Sequence, residues 1–424
     1  MSARFDVVDG TAAERWALTA WSAWGAAAMF YAYAFLQRVA PSVMVDDLMR
    51  DLTLDGAALG TLSAAYFYTY AAVQIPGGVV MDRFGPRRLL TAAALVTACG
   101  SLLFAVAGGF GTALAGRALI GLGVGFAYLG SLKLANSWFP AHRYALFVGL
   151  TLMLGLSGAI AGQAPLAALV AVHGWRTLMV VGALVALGIA VAILLLVRDR
   201  PEGQAPPAAG GSLRIVLRRR QLWLLAAVAC LFSGPLLTFG GLWGVPYLVQ
   251  VHGLSKVDAG MVTSAMLAAW ALGGPAAGWA SDRIGRRKPL MLVGGAVSIA
   301  AWLALLLPAE PPLPLVMLLC VLIGAAAGPM VIAFAQAGDL FGGRSAASAA
   351  GVVNTAVLLL GAGLQTLVGR LLDLRWDGTL HAGARIYAAD DFRFGFAVLA
   401  LAAVLQFCAT AALRETWCRP DSRA

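Results

Sequence analysis

Apolar residues run along the chain in long stretches, each closed by a short polar or Gly/Pro-bearing break. A helix needs roughly 20 mostly apolar residues to cross a bilayer, and almost the whole sequence divides into stretches of that size. They fall at 17–40, 55–80, 89–108, 111–135, 144–168, 175–197, 222–250, 259–281, 289–308, 313–338, 346–372 and 393–413. Six lie before the middle and six after. Gly and Pro inside them do not argue against helix, because transmembrane helices tolerate both. The leading residues, MSARFDVVDGTAAER, have no apolar core and do not read as a cleavable signal. The expected fold class is an all-α membrane protein. Twelve transmembrane helices form two six-helix halves, 1–197 and 222–424, joined by a cytoplasmic linker at 198–221.

Composition agrees: 61% of residues are hydrophobic and 12% charged, whereas soluble domains carry about 25% charged residues. The net charge of +10 raises nucleic acid as a partner, but its distribution points to a membrane. Arg83, Arg87, Arg88, Arg143, Arg198, Arg218, Arg219, Arg220, Arg283, Arg286, Arg287 and Lys288 all fall on one side of the alternating topology. The other side holds Arg50, Arg176, Lys256, Arg370, Arg375, Arg385 and Arg393. The positive-inside rule then places both termini in the cytoplasm and the protein in the inner membrane. Cys99, Cys230, Cys320, Cys408 and Cys418 show no metal spacing and read as small core residues. No Walker motif is present. The glycine run GLGVGFA follows no strand, so it does not read as a nucleotide loop. Nothing suggests an enzyme, a metal or a cofactor.

The middle of the chain has another texture. RDRPEGQAPPAAGG (198–211) is rich in Pro, Gly and Ala, as linkers are. The basic stretch SLRIVLRRR follows it, and reads either as a short element on the anionic inner leaflet or as a plain cytoplasmic flank. On either side of the linker the same charged phrase appears, as GGVVMDRFGPRR (77–88) and GWASDRIGRRK (278–288). Each copy falls between the second and third apolar stretch of its half, which marks an internal repeat.

This phrase resembles the signature of the major facilitator superfamily, and the resemblance covers the whole chain. Gly78, Asp82, Arg83, Gly85 and Arg87 match in the first copy, with Pro86 in place of the usual Arg. Gly278, Asp282, Arg283, Gly285 and Arg286 match in the second. The resemblance implies a monomeric secondary transporter working by alternating access, with these residues latching the halves in one state. RALIGLGVG from Arg117 is similar to the fourth-helix motif of the same superfamily.

Charges inside membrane spans are costly and usually functional. Three are expected there, all basic: Arg38, Arg117 and Lys133. With no internal acid to balance them, they favour an anionic ligand. Asp339 and Asp373, at the ends of the tenth and eleventh spans, come nearest to being internal acids. Arg38 with QIPGGVVMDRFGPRR and RALIGLGVGFAYLGSLKLANSWFP resembles the anion:cation symporter branch, which carries sugar acids and organic phosphates. That resemblance implies anion contacts from Arg38, Tyr70 and Arg117. Tyr66, Tyr70 and Gln74 share one helical face, as a cavity lining does. Gln336, Asn354 and Gln365 are polar candidates from the second half, with Ser233 and Trp243 beside them. Proton-coupled members of the branch carry carboxylates where this chain has Gln37 and Val124, so exchange, facilitated flow or coupling to a cation is expected instead. A drug or metabolite exporter, or an amino-acid transporter, is the alternative.

Overall fold

The computed structural model describes residues 10–140, 143–199, 216–307, 311–341 and 343–418. Most of the expected linker, residues 200–215, lies outside the described residues. The rest is almost wholly helical. Before the linker the helices are α1 (Gly10–Val39), α2 (Val45–Leu52), α3 (Gly56–Phe84), α4 (Pro86–Ala105), α5 (Phe110–Val124), α6 (Ala127–Trp138), α7 (Tyr144–Ala161), α8 (Ala164–His173) and α9 (Trp175–Leu196). After it come α10 (Arg220–Thr238), α11 (Gly244–His252), α12 (Lys256–Ile284), α13 (Lys288–Leu306), α14 (Leu313–Ala327), α15 (Met330–Phe341), α16 (Gly343–Arg375) and α17 (Ala389–Ala412). A small hairpin, β1 (Leu380–His381) with β2 (Ala384–Arg385), precedes α17.

Ten of these stretches are long and apolar enough to cross a membrane. The helices over the first two expected spans, α1 and α3, are as long, but Trp, Tyr, Thr and Gly dilute their apolar content. Several spans expected as single helices are jointed. The fourth breaks between α5 and α6, the fifth between α7 and α8, and the tenth between α14 and α15. The first ends in a 3-10 turn, Ala40–Val43, and the seventh carries a π-helical turn, Phe239–Trp243. π turns inside α-helices often mark functional sites.

The repeated phrase has a clear local cause. Both α3 and α12 begin on a side-chain cap: Asp55 accepts from the Ala58 N–H at 2.7 Å, and Ser255 from the Asp258 N–H at 3.1 Å. Both end at a glycine with positive φ, Gly85 at 79° and Gly285 at 72°. A side chain is strained in that backbone region, so the glycine of each copy stops one helix and frees the chain to start the next.

Glycine also sets how closely the helices lie. A Cβ on Gly121 would strike the Tyr66 carbonyl, and one on Gly123 the Thr97 hydroxyl. α5 therefore lies against both α3 and α4, and this contact positions Arg117. The apolar surface turned outward includes Val172, Leu195, Leu272 and Leu307, as lipid contact requires.

Candidate functional site

Arg38 lies in the last turn of α1 and is 7% exposed. Its Cζ sits 4.1 Å from the Phe35 ring centroid, 5.4 Å from that of Tyr70 and 5.8 Å from that of Phe67. The Nε has no hydrogen-bond partner. The ion pairs among the described residues all lie elsewhere. Stacking on aromatic rings returns about 2 kcal/mol to a desolvated cation, less than the several kcal/mol that burying an unpaired ion costs. The site is electrostatically incomplete and suited to an anion.

Arg117 is deeper, at 1% exposed, with its Cζ 5.0 Å from the Tyr66 ring centroid. It donates from Nη1 to the Gln37 carbonyl at 2.9 Å, while Nε and Nη2 have no partner. The Gln37 side chain donates to the Tyr33 hydroxyl, which donates to the Gly182 carbonyl at 2.9 Å. Arg117 thus ties α5 to the backbone of α1, one residue from Arg38.

Tyr66, Tyr70 and Gln74 follow one another along α3. Tyr66 donates to the Ala34 carbonyl at 2.8 Å, and Tyr70 faces Arg38. Gln74 donates to the Gly125 carbonyl and accepts from Asn354 Nδ2, both at 3.3 Å. The structure therefore gathers Arg38, Arg117, Tyr66, Tyr70, Gln74 and Asn354 along one run of contacts.

Three expected ligand residues are placed apart from that run. Lys133 pairs with Asp82 at the end of the bundle that carries the repeated phrase. Its long side chain reaches a carboxylate there instead of entering the interior. Gln336 donates to the Arg414 carbonyl at 2.5 Å at that same end. The Gln365 side chain donates to the Leu237 carbonyl and its backbone carbonyl accepts from Trp243 Nε1, both at 3.0 Å, so it joins α16 to α10 and the π turn. Ser233 donates back to the Ala229 carbonyl at 3.0 Å.

Among the described residues, the ion pairs at the repeated-phrase end stay on one side of the linker or the other. The Arg87 N–H donates to Asp199 at 2.6 Å, and Arg83 lies over Phe84. On the later side Asp282 does pair, through Arg287 at 2.6 Å, which also holds Asp339 at 3.1 Å. Arg283 lies over Trp279, and Arg286 over Trp417. Arg287 is the hub of this cluster. Its weight was not legible in a run of three consecutive basic residues. Gly78 has no neighbour within contact of an added Cβ, and Gly278 has only Val331 at 4.0 Å.

The opposite end is built differently. Asp373, in the last turn of α16, accepts from the Gly56 and Ala57 N–H groups of α3 at 2.9 and 2.7 Å. Lys256 bonds Asp47 at 3.0 Å. Gln163, at the α7–α8 joint, donates to the Gly240 carbonyl at 2.7 Å and accepts from Ser42 at 3.2 Å and Thr263 at 3.0 Å. These bonds all join elements before residue 200 to elements after 215, except that from Ser42. Neither Asp373 nor Asp339 reaches the interior.

A jointed bundle of long apolar helices around buried cations, with a charged phrase repeated at one end, defines a multi-pass membrane protein of the transporter type. The family model of the Major Facilitator Superfamily matches residues 23–366, and the chain belongs to that family. Its relatives bear out the anion:cation symporter resemblance. The chain is similar to the probable sulfoacetate transporter SauU of Cupriavidus necator, 27% identical over 64% of this chain and 67% of that one. It is similar also to the hexuronate transporter of Bacillus subtilis, 28% identical over 59% and 61%. The matched region spans about two thirds of these relatives or somewhat less. The bacterial homologue of the human lysosomal transporter Spinster shares the fold, with a TM-score of 0.77 at 18% identity, over 93% of this chain and 98% of that structure.

Proposed function

We propose that this chain is a secondary transporter that carries a small organic anion across the inner membrane by alternating access. It acts as a monomer, with both termini on the cytoplasmic side. Arg38 carries this reading: a buried guanidinium caged by Phe35, Phe67 and Tyr70, with no carboxylate paired to it among the described residues. Guanidinium offers the bidentate donors that a carboxylate, sulfonate or phosphate accepts. The names of the sulfoacetate and hexuronate relatives support the same ligand chemistry. Tyr70, Tyr66, Gln74, Arg117 and Asn354 form the surrounding shell.

The test is binding to purified protein across a panel of sulfoacetate, a hexuronate, amino acids and an apolar cation. An anion from the panel binds the wild type. Arg38→Lys then loses at least about tenfold in affinity, or roughly 1.4 kcal/mol, while remaining folded. Equal binding by Arg38→Ala would move the apolar-cavity exporter ahead. Because Gln37 and Val124 stand where carboxylates would sit, uptake runs by exchange, facilitated flow or a cation. An inward proton gradient alone therefore leaves proteoliposome uptake unchanged.

A further inference from the structure

Asp373 is placed badly for its own helix. It sits in the last turn of α16, where the exposed carbonyls make a carboxylate unfavourable. What it gains is the start of another helix. Its two oxygens take the Gly56 and Ala57 N–H groups, the first two of α3, at 2.9 and 2.7 Å. Those groups have no partner within their own helix, and the positive end of the α3 dipole favours a carboxylate there. Asp55 caps the third, on Ala58. Tyr387 Oη and Arg385 Nη1 also donate to Asp373, at 2.7 and 3.0 Å, and aim it across the gap. The contact needs bare backbone on both sides: a Cβ on Gly369 would strike the Gly56 carbonyl, and one on Gly56 would lie 2.7 Å from the Tyr387 hydroxyl. The side chain is 17% exposed, so water does not fully screen the bond.

We infer that Asp373 is a positioning residue of the transport cycle, a latch that holds the end opposite the repeated phrase shut and must leave the α3 N-terminus whenever that end opens. This rests on the alternating-access reading. It assigns the closing of that end to a carboxylate capping a helix across the two sides of the linker, where the repeated phrase guards the other end. A purely structural staple would stabilise the fold without biasing which end is open.

The test needs no substrate, so it stands or falls apart from the choice of anion. The five native cysteines are replaced, and Val43→Cys is added as a reporter; Val43 is 1% exposed in the 3-10 turn after α1. A membrane-impermeant maleimide is applied from the outer face of intact vesicles. Asp373→Ala labels about tenfold faster than the parent, and Asp373→Asn falls between them, since Asn keeps an acceptor but not the charge. Asp373→Glu restores slow labelling in part. If Asp373→Ala fails to fold, Tyr387→Phe with Arg385→Gln removes two donors that aim the carboxylate, and the same acceleration is expected at about twofold to threefold. Parental labelling rates in folded Asp373→Ala, or in the double variant, overturn the latch.

Discussion

At the end that carries the repeated phrase, the ion pairs and carboxylate bonds among the described residues do not cross the linker: Asp82 with Lys133, Asp199 with the Arg87 N–H, Asp282 and Asp339 with Arg287. At the opposite end the bonds run from one side of the linker to the other, through Asp373, Lys256 and Gln163. Between the two, Gln74 and Asn354 form an amide pair across the linker. The difference teaches that conformational state is written in where the bonds cross, and not in how many charges an end carries. The more heavily charged end is the one less tied across. Glycine tells the same story. Gly369 and Gly60 each abut backbone of the facing helix, whereas Gly78 has open space beside it.

The largest effect tests that contrast directly. Gly369→Leu places a side chain against the Gly56 carbonyl and Trp243. Overpacking of this kind costs about 1–3 kcal/mol, so transport falls at least about tenfold and the Val43 reporter labels faster. Gly78→Leu leaves labelling near the parental rate in the same assay. Equal effects from the two would erase the distinction between the ends.

Next comes Gln163→Leu. It strips the buried Gly240 carbonyl of its side-chain donor, while Ser42 and Thr263 keep their bonds to the Val39 and Ala259 carbonyls. One unsatisfied buried group costs about 1–3 kcal/mol, so the purified variant loses a few degrees in thermal midpoint. A midpoint within one degree of wild type would show that the network contributes nothing.

Smaller effects belong to the repeated phrase. The Asp82 side chain is 63% exposed in its pair with Lys133, and exposed pairs contribute about 0–1 kcal/mol. Asp82→Asn therefore changes outer-face labelling of the Val43 reporter by less than about fivefold. A change as large as that of Asp373→Ala would make the phrase a partner in closing the far end.

The smallest concerns acid. Burial raises the Asp51 carboxyl, but hydrogen bonds from Trp175 and Arg50 outweigh it, and the net shift is downward. A lowered folded value means the stabilisation is present above the unfolded value and is lost as pH falls through the folded one. Below about pH 4, the wild-type thermal midpoint declines more steeply than that of Asp51→Asn. Parallel declines would remove this contribution.

Much of this molecule was legible in advance. The apolar stretches gave helices at all twelve expected places, because a span must satisfy its own backbone and bury or expose apolar surface over a fixed thickness. The burial of Arg38 and the shared face of Tyr66, Tyr70 and Gln74 could be read in advance, because charge within an apolar run and helical spacing are local properties. Lys133 could not be placed, since its partner, Asp82, lies on another helix. Gln163 gave no signal at all. An amide at a helix joint looks like any other until Gly240 and Thr263 arrive beside it.

The sequence by itself determined the span pattern, the repeat, the glycines that end α3 and α12, and the excess of buried positive charge. Each follows from periodicity, φ preference or composition, which are properties of short segments. Only the tertiary structure decided that Asp373 caps a helix more than 300 residues away in the chain, that Lys133 serves Asp82, and that Arg287 gathers two carboxylates. Those choices depend on which helix ends meet, and helix ends meet through the close approach of glycine-lined faces on elements far apart in sequence. The electrostatics of each end is then settled by whichever partner the packing brings within about 3 Å, the distance at which a hydrogen bond forms.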